Sequence, residues 1–433
     1  MSDGPLFRAR MRPASFDSAL GRKIIELHVW AVRQGLGGAP ADVLLDGLCQ
    51  RLVRADVPLW RVFAGMRTLH PQWGGYGFTW RRELNATRPE QYERGSEYEQ
   101  NWLDSPFAYL MSQATGAADG AEPLLCLRRR LSGPQAQLDF AVLKGLSAAG
   151  GTDYFAQLFA FGAQGDPSRG TGVGFSFTTE RPDGFRDDGI WLLQAVLPAA
   201  SLALMVDAGH TIASGLLAAY LGADAGKRVH AGAVARGSVE SIRAVLWYAD
   251  IRGFTAIADA TPGLAVIEML DEVFETLTAS LRARGGQVLK FMGDGMLAIF
   301  PFVDAIRNDT CERALDAAVE AMQAIDQLND ARHAVGKPVA AVDLALHLGE
   351  VLYGNVGATD RLDFTVIGPA VNEAARIETL CEALGAKVLV SAELAAAVTD
   401  NRRLRPLGRH PLRGVREERE VYALDLGAED WRA

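Results

Sequence analysis

The chain has 433 residues, too many for one compact domain and enough for two of about 200 residues each. A hydrophobic share of 49% can fill two cores, and a formal net charge of −9 excludes nucleic-acid binding as the main activity, which needs a basic face. Cys49, Cys126, Cys311 and Cys381 form no CxxC pair, which excludes a zinc ribbon or disulfide framework and suits reduced thiols in the cytoplasm. The opening MSDGPLFRARMRP has no apolar core and reads as no signal peptide. Amphipathic spacing predicts helices over 16–34 and 41–55, followed by strands at 61–69 and 77–82. After an irregular polar stretch, a short helix is expected at 139–148 and strands at 154–161 and 172–178. Residues 190–206 are mainly apolar but hold Gln194, Pro198 and Ser201, and fall short of the roughly 20 residues a membrane span requires. They read as a buried helix closing a first domain, 1–205, with no membrane insertion.

Residues 206–239 read as a connector, helical through Ile212, Leu216, Leu217 and Tyr220 and broken at Gly222. A second domain, 240–427, alternates strand and helix, and 428–433 is a tail. Its strands are predicted at 243–249, 286–292, 295–300, 341–348 and 362–367, with helices at 264–284, 306–330 and 369–384. Leu315, Ala318, Met322 and Ile325 show the helical period of the middle helix. The order βαββαβ is the ferredoxin-like α+β arrangement.

Two aspartates stand out in this second domain. Asp250 ends an apolar run in YADIRGFT (248–255), and Asp294 occupies the Gly293-Asp294-Gly295 turn of LKFMGDGMLAIF (289–300). Two unpaired carboxylates about 4 Å apart repel by roughly 4 kcal/mol at an effective dielectric of 20. A hard divalent cation such as Mg²⁺ removes that cost, and carboxylate oxygens are its preferred ligands. Downstream, Asn372 and Arg376 lie four apart on one helical face in DFTVIGPAVNEAARIE (363–378).

YADIRGFT, KFMGDGMLAIF and DFTVIGPAVNEAARIE, in this order and spacing, resemble the catalytic domain of class III nucleotidyl cyclases from about 239 to 426. The resemblance implies conversion of ATP to 3′,5′-cyclic AMP and pyrophosphate by attack of the ribose 3′-oxygen on the α-phosphorus. It implies two Mg²⁺ or Mn²⁺ ions per site, held by Asp250, Asp294 and the backbone carbonyl of Ile251, with Gly293 leaving room for the triphosphate. Asn372 would orient the ribose, and Arg376 would stabilise charge on the phosphate. Lys290 and Thr365 match the adenine-selecting pair, which favours ATP over GTP. Arg413 in HPLRGVREERE is the candidate for the cation that contacts the terminal phosphates. In the family the aspartates of one domain face the Asn and Arg of another, so a homodimer with two composite sites is expected. A silent cyclase-fold regulator and a guanylate cyclase are the alternatives.

The element order of 1–205, with its closing segment GFRDDGIWLLQAVLPAASLAL, resembles a GAF-type sensor domain. AYLGADAGKRVHAG resembles the short transducing element upstream of bacterial cyclase domains, and paired connector helices suit a dimer. GADAGK (222–227) lacks the length, the preceding strand and the Ser or Thr of a phosphate loop. Gly170, Gly172 and Gly174 read as a turn between strands. Trp30, Trp60, Trp73, Trp80 and Trp102 read as core or as walls of a pocket for an unidentified small molecule. His28 and His70 are too isolated to suggest a metal site. Arg128, Arg129 and Arg130 read as a solvated face.

Overall fold

A computed structural model describes residues 18–114, 125–161, 171–399 and 403–427. The opening segment, Gly170 and the tail lie outside the described residues. The chain divides into two compact units, Met1–Leu216 and Leu217–Ala433.

In the first unit, α1 (Ala19–Leu36) and α2 (Ala41–Arg54) precede the strands β1 (Arg61–Arg67), β2 (Trp73–Arg81) and β3 (Ala86–Glu93). Helices α3 (Ser96–Leu103) and α4 (Pro106–Ala114) lead to β4 (Leu125–Arg130), then α5 (Ala141–Ala148), β5 (Asp153–Phe161) and β6 (Thr171–Thr179). The unit ends within α6 (Asp187–Leu221). The six strands form one antiparallel sheet in the order β3-β2-β1-β6-β5-β4. Strand alternation sends Phe155, Phe175 and Phe177 to one face, where they pack with Leu44, Leu48, Leu193 and Leu197 of α2 and α6. The other face carries a smaller cluster of Phe107, Leu127, Leu143 and Tyr154.

Helix α6 is the one helix among the described residues that is long and apolar enough to cross a membrane. Its Ile190, Leu193, Leu197 and Leu204 are buried in the core of the first unit, as the reading of 190–206 expected. The arginine run is a different matter. Arg128 and Arg130 both donate to Asp153, at 2.8 and 3.4 Å, and Asp153 is fully buried at the start of β5. The Phe185 N–H completes its shell at 2.9 Å, and Arg129, itself buried, pairs with Asp139 at 3.0 Å. These arginines pin β4 to its neighbours instead of facing solvent. Asp153→Ala is therefore expected to cost this unit about 3 kcal/mol, because it strands partly buried guanidiniums. Urea unfolding followed by tryptophan fluorescence tests this, since Trp30, Trp60, Trp73, Trp80, Trp102 and Trp191 lie in the unit.

Other details also differ from expectation. Gly172 and Gly174 lie inside β6 and not in a turn, where a Cβ on Gly174 would meet the Phe107 ring at 2.7 Å. The tryptophans do not gather into one cage: Trp80 is core, Trp30 stacks under Arg51, and Trp60 donates to Glu83. His70 accepts from the Gln72 and Trp73 amides in a turn, and His28 is exposed.

The second unit opens with α7 (Ala223–His230) and β7 (Val239–Ile251), followed by α8 (Phe254–Ala260), α9 (Gly263–Ala283), β8 (Gln287–Met292) and β9 (Gly295–Phe302). A short 3₁₀ turn (Asp304–Ile306) leads into α10 (Arg307–Ala334), β10 (Val342–Gly357) and β11 (Leu362–Ile367). Helices α11 (Pro369–Glu378) and α12 (Cys381–Leu384), then β12 (Val388–Ser391), α13 (Ala392–Ala395), β13 (Leu404–His410) and β14 (Arg419–Leu424) complete it. The sheet runs β13-β14-β12-β10-β7-β9-β8, with β11 paired to β10. Its inner order β10-β7-β9-β8 places the four strands of the βαββαβ unit as 4-1-3-2, all antiparallel neighbours. The alternation of β7 puts Val245, Trp247 and Ala249 under α9 and α10 with Met269, Leu315 and Met322. Ala244 and Leu246 face the other way, with Ala370 and Ala374 of α11 and Ala225 of α7.

GADAGK is the entry to α7, with Gly222 at φ +85° supplying the left-handed turn. The expected helix over 369–384 is two helices, because Thr379 ends the first by donating its hydroxyl to the Arg376 carbonyl at 2.8 Å. All four cysteines are buried, Cys126 accepts from the Gln194 amide at 3.7 Å, and burial raises the thiols of Cys49, Cys311 and Cys381.

Candidate active site

Asp250 stands at the C-terminal end of β7, opposite Asp343 of β10. The β8–β9 hairpin brings Asp294 beside it. That turn needs Gly293 at φ +68°, a backbone region costly for other residues. It also needs Gly295, where a Cβ would lie only 3.2 Å from Asp250 Oδ1. The two carboxyls come within hydrogen-bonding reach. Burial first, then the charge of Asp294 and their shared hydrogen bond, push the Asp250 carboxyl up to about 6, while the Ile251 amide N–H pulls it back down.

Two groups absent from the sequence reading shape this corner. Asp343 is buried and receives two bonds from the Arg252 guanidinium, one from Nε at 2.9 Å. Glu378, in the last turn of α11, is 8% exposed. Burial, then the charges of Asp250, Asp343 and Asp294, push its carboxyl up to about 7, with Arg252 opposing. Nothing in RIETLCE distinguishes this glutamate from a surface one. Only the packing of α11 on β7 and β10 reveals it.

Lys290 on β8 donates to Asp363 at 3.0 Å. Thr365 lies two residues further along β11, on the same strand face as Asp363. It is 7% exposed, and its hydroxyl has no hydrogen-bond partner among the described residues. The expected Lys290–Thr365 pair is thus a trio in which the salt bridge belongs to Asp363. An orphaned buried hydroxyl costs free energy that a polar ligand atom would recover.

On α11, Asn372 is exposed and Arg376 is half-buried. The Arg376 guanidinium lies beside Gly414, where an added Cβ would be 3.6 Å from it, so the loop bearing exposed Arg413 adjoins it. No hydrogen bond or ion pair among the described residues joins Asn372, Arg376 or Arg413 to the aspartate pair.

Residues 238–425 match the model of the adenylate and guanylate cyclase catalytic domain. Family and relatives together support a class III cyclase domain in this part of the chain. An adenylate cyclase of Anabaena cylindrica is 33% identical over 159 residues, 36% of this chain and 30% of that protein. Adenylate cyclase 1 of Rhizobium meliloti (strain 1021) is 30% identical over 177 residues, 40% of this chain and 26% of that protein. The chain thus spans under a third of the length of either relative. A solved bacterial light-regulated adenylyl cyclase is similar at a TM-score of 0.46 and 23% identity, over 55% of this chain and 66% of that one.

The cyclase-domain match suits a divalent cation at the aspartates. No cluster of three or more His, Cys, Asp or Glu among the described residues could hold a metal by itself. Two converging carboxylates, with the remaining positions left to water and phosphate oxygens, fit Mg²⁺ or Mn²⁺. A pH effect follows. Asp250 is raised in the folded state, so the metal-free fold loses stability as pH rises from 3.8 through about 6, where the Asp250 carboxyl ionises. Below that pH a cation must displace the shared proton; above it, the cation simply relieves repulsion. Millimolar Mn²⁺ is expected to raise the melting temperature more at pH 7.5 than at pH 5, as scanning calorimetry would show. Equal shifts at both pH values would contradict the assignment.

Proposed function

We propose that this chain is an adenylate cyclase, forming 3′,5′-cyclic AMP and pyrophosphate from ATP in a cytoplasmic homodimer. The observation that carries the proposal is the convergence of Asp250 and Asp294 at the mouth of β7 and the β8–β9 turn, within the cyclase-domain match. Asp250 and Asp294, with the Ile251 carbonyl, would hold two Mg²⁺ or Mn²⁺ ions. Such ions, when bound, acidify the 3′-hydroxyl and neutralise the triphosphate. The 3′-oxygen then bonds to the α-phosphorus, its proton departs to solvent, and the bond to the β-phosphate oxygen breaks to release pyrophosphate.

The chain's own groups hold the nucleotide in line for that displacement. Lys290, steadied by Asp363, and the orphaned Thr365 hydroxyl suit the adenine edge, while Gly293 leaves space at the phosphates. Asn372 would orient the ribose, and Arg376 would fork onto the phosphate oxygens where charge develops. Arg413, next to Arg376 through the Gly414 turn, is the proposed contact to the terminal phosphates. Because no hydrogen bond or ion pair among the described residues joins Asn372 or Arg376 to the aspartates, a second copy is proposed to supply them, giving two equivalent sites per dimer.

Residues 1–205 are proposed as a GAF-like regulatory domain, 206–239 as the helical transducer, and 240–427 as the catalytic domain. The antiparallel sheet, with α2 and α6 packed on one face and an apolar cavity beneath the shorter helices on the other, supports the regulatory role. Substrate choice is tested by offering ATP and GTP separately, with Mg²⁺ or Mn²⁺, to the wild type and to a Lys290→Glu/Thr365→Cys double variant. The wild type is expected to prefer ATP, and the double variant to shift toward GTP by about tenfold or more. An unchanged ratio would refute the base-selecting role.

A further inference from the structure

We infer that the first unit binds a small aromatic carboxylate in the cavity beneath α3 and α4. The inference deepens the regulatory reading of this unit, and it is read by binding, so its failure would leave cyclisation untouched. The cavity measures about 300 Å³ and sits on the sheet face opposite α6, between β1, β5, β6 and the two short helices. Phe63, Trp102, Phe107 and Tyr154 wall it, and aromatic walls of this kind suit a flat apolar body. About 300 Å³ holds one or two rings and a short side chain.

Charge selects the rest of the ligand. Two guanidiniums, Arg61 and Arg67, line the cavity, and no Asp or Glu does among the described residues. Arg67 lies over the Trp102 ring at 5.4 Å. Arg61 is half-buried, and no carboxylate lies within ion-pair distance of it among the described residues. Its guanidinium makes only long contacts, to the Thr79 hydroxyl at 3.4 Å and the Phe63 ring at 6.0 Å. Glu90 is the carboxylate that acts on it most strongly, and it already accepts from the Tyr92 hydroxyl at 2.7 Å. Burial lowers the Arg61 pKa from its ordinary value despite the pull of Glu90, as expected of a cation short of a partner. A guanidinium facing an apolar, aromatic space is matched by one carboxylate on an aromatic body, since the fork accepts both oxygens. A dianionic phosphate ester would bury a second charge among rings that cannot solvate it.

The test is isothermal titration of the full chain with indole-3-acetate and phenylacetate, and with the matching neutral amides. At least one acid is expected to bind with Kd about 100 μM, the range for ligands of this size. Its amide is expected to bind at least about tenfold more weakly, for want of a charged hydrogen bond. Arg61→Gln should erase that preference, and Arg61→Lys should retain part of it. Val142 lines the cavity and is 41% exposed, so Val142→Trp should obstruct the site without disturbing the core. Equal affinity of acid and amide, an undiminished preference in Arg61→Gln, or undiminished binding in Val142→Trp would overturn the inference. So would the failure of both acids to bind the wild type at about 2 mM.

Discussion

Asp250→Asn is expected to abolish cyclisation while making the metal-free protein more stable at pH 7.5. The loss of activity should be at least about a thousandfold, because the amide cannot neutralise a divalent cation beside the triphosphate. The gain in stability has the opposite origin. In the metal-free fold the Asp250 carboxyl rises from 3.8 to about 6, so ionising it at pH 7.5 works against folding. That rise corresponds to at most about 3 kcal/mol. Water reaches this half-exposed group, which reduces the gain to about 1 kcal/mol. The amide still accepts from the Ile251 N–H and can donate to Asp294, so the turn keeps its bonds. Urea unfolding in chelator and product assays on the same preparation separate the two effects. A variant that is both inactive and clearly less stable would mean that Asp250 serves the fold and not the metal.

The second large effect concerns the division of labour between copies. Asp294→Ala and Arg376→Ala are each expected to leave under about a thousandth of wild-type activity. Mixed in equal amounts and allowed to exchange subunits, they should recover about a quarter of it: half the dimers are mixed, and each has one of two sites intact. The expectation rests on the proposed dimer, and on Arg376 lying beside the Gly414 turn with no hydrogen bond or ion pair to Asp250 or Asp294 among the described residues. A site built within one chain would show no recovery at any ratio. Size-exclusion chromatography of the mixture would show that the variants still associate.

The blocks around Asp250 and Asp294 were legible as a strand end and a turn because their constraints are local. Asp294 between two glycines marks a tight turn whatever surrounds it, and the apolar run before Asp250 marks a strand end. The four strands and two long helices of the βαββαβ unit follow from periodicity, and the structure extends β10 to Gly357 beyond the expected end at 348. What escaped depends on distant neighbours. Arg128, Arg129 and Arg130 look solvated until Asp153 and Asp139 come to meet them. Glu378, Asp343 and Arg252 resemble surface charges in sequence, and they become one electrostatic unit only when α11 packs against the sheet. Asp363 was passed over for Thr365 because the salt bridge to Lys290 crosses from β11 to β8, a contact 73 residues apart in the chain. Strand β12, VLVS, is only four residues long, and β13 and β14 hold too many charged, glycine or proline residues to show an alternating pattern.

The most direct test is the product itself: dimeric wild-type protein incubated with ATP and Mn²⁺, with the products separated and identified by mass spectrometry. The account predicts 3′,5′-cyclic AMP and pyrophosphate in equal amounts, lost together in Asp294→Ala. No cyclic nucleotide from ATP, with the dimer intact, would contradict it.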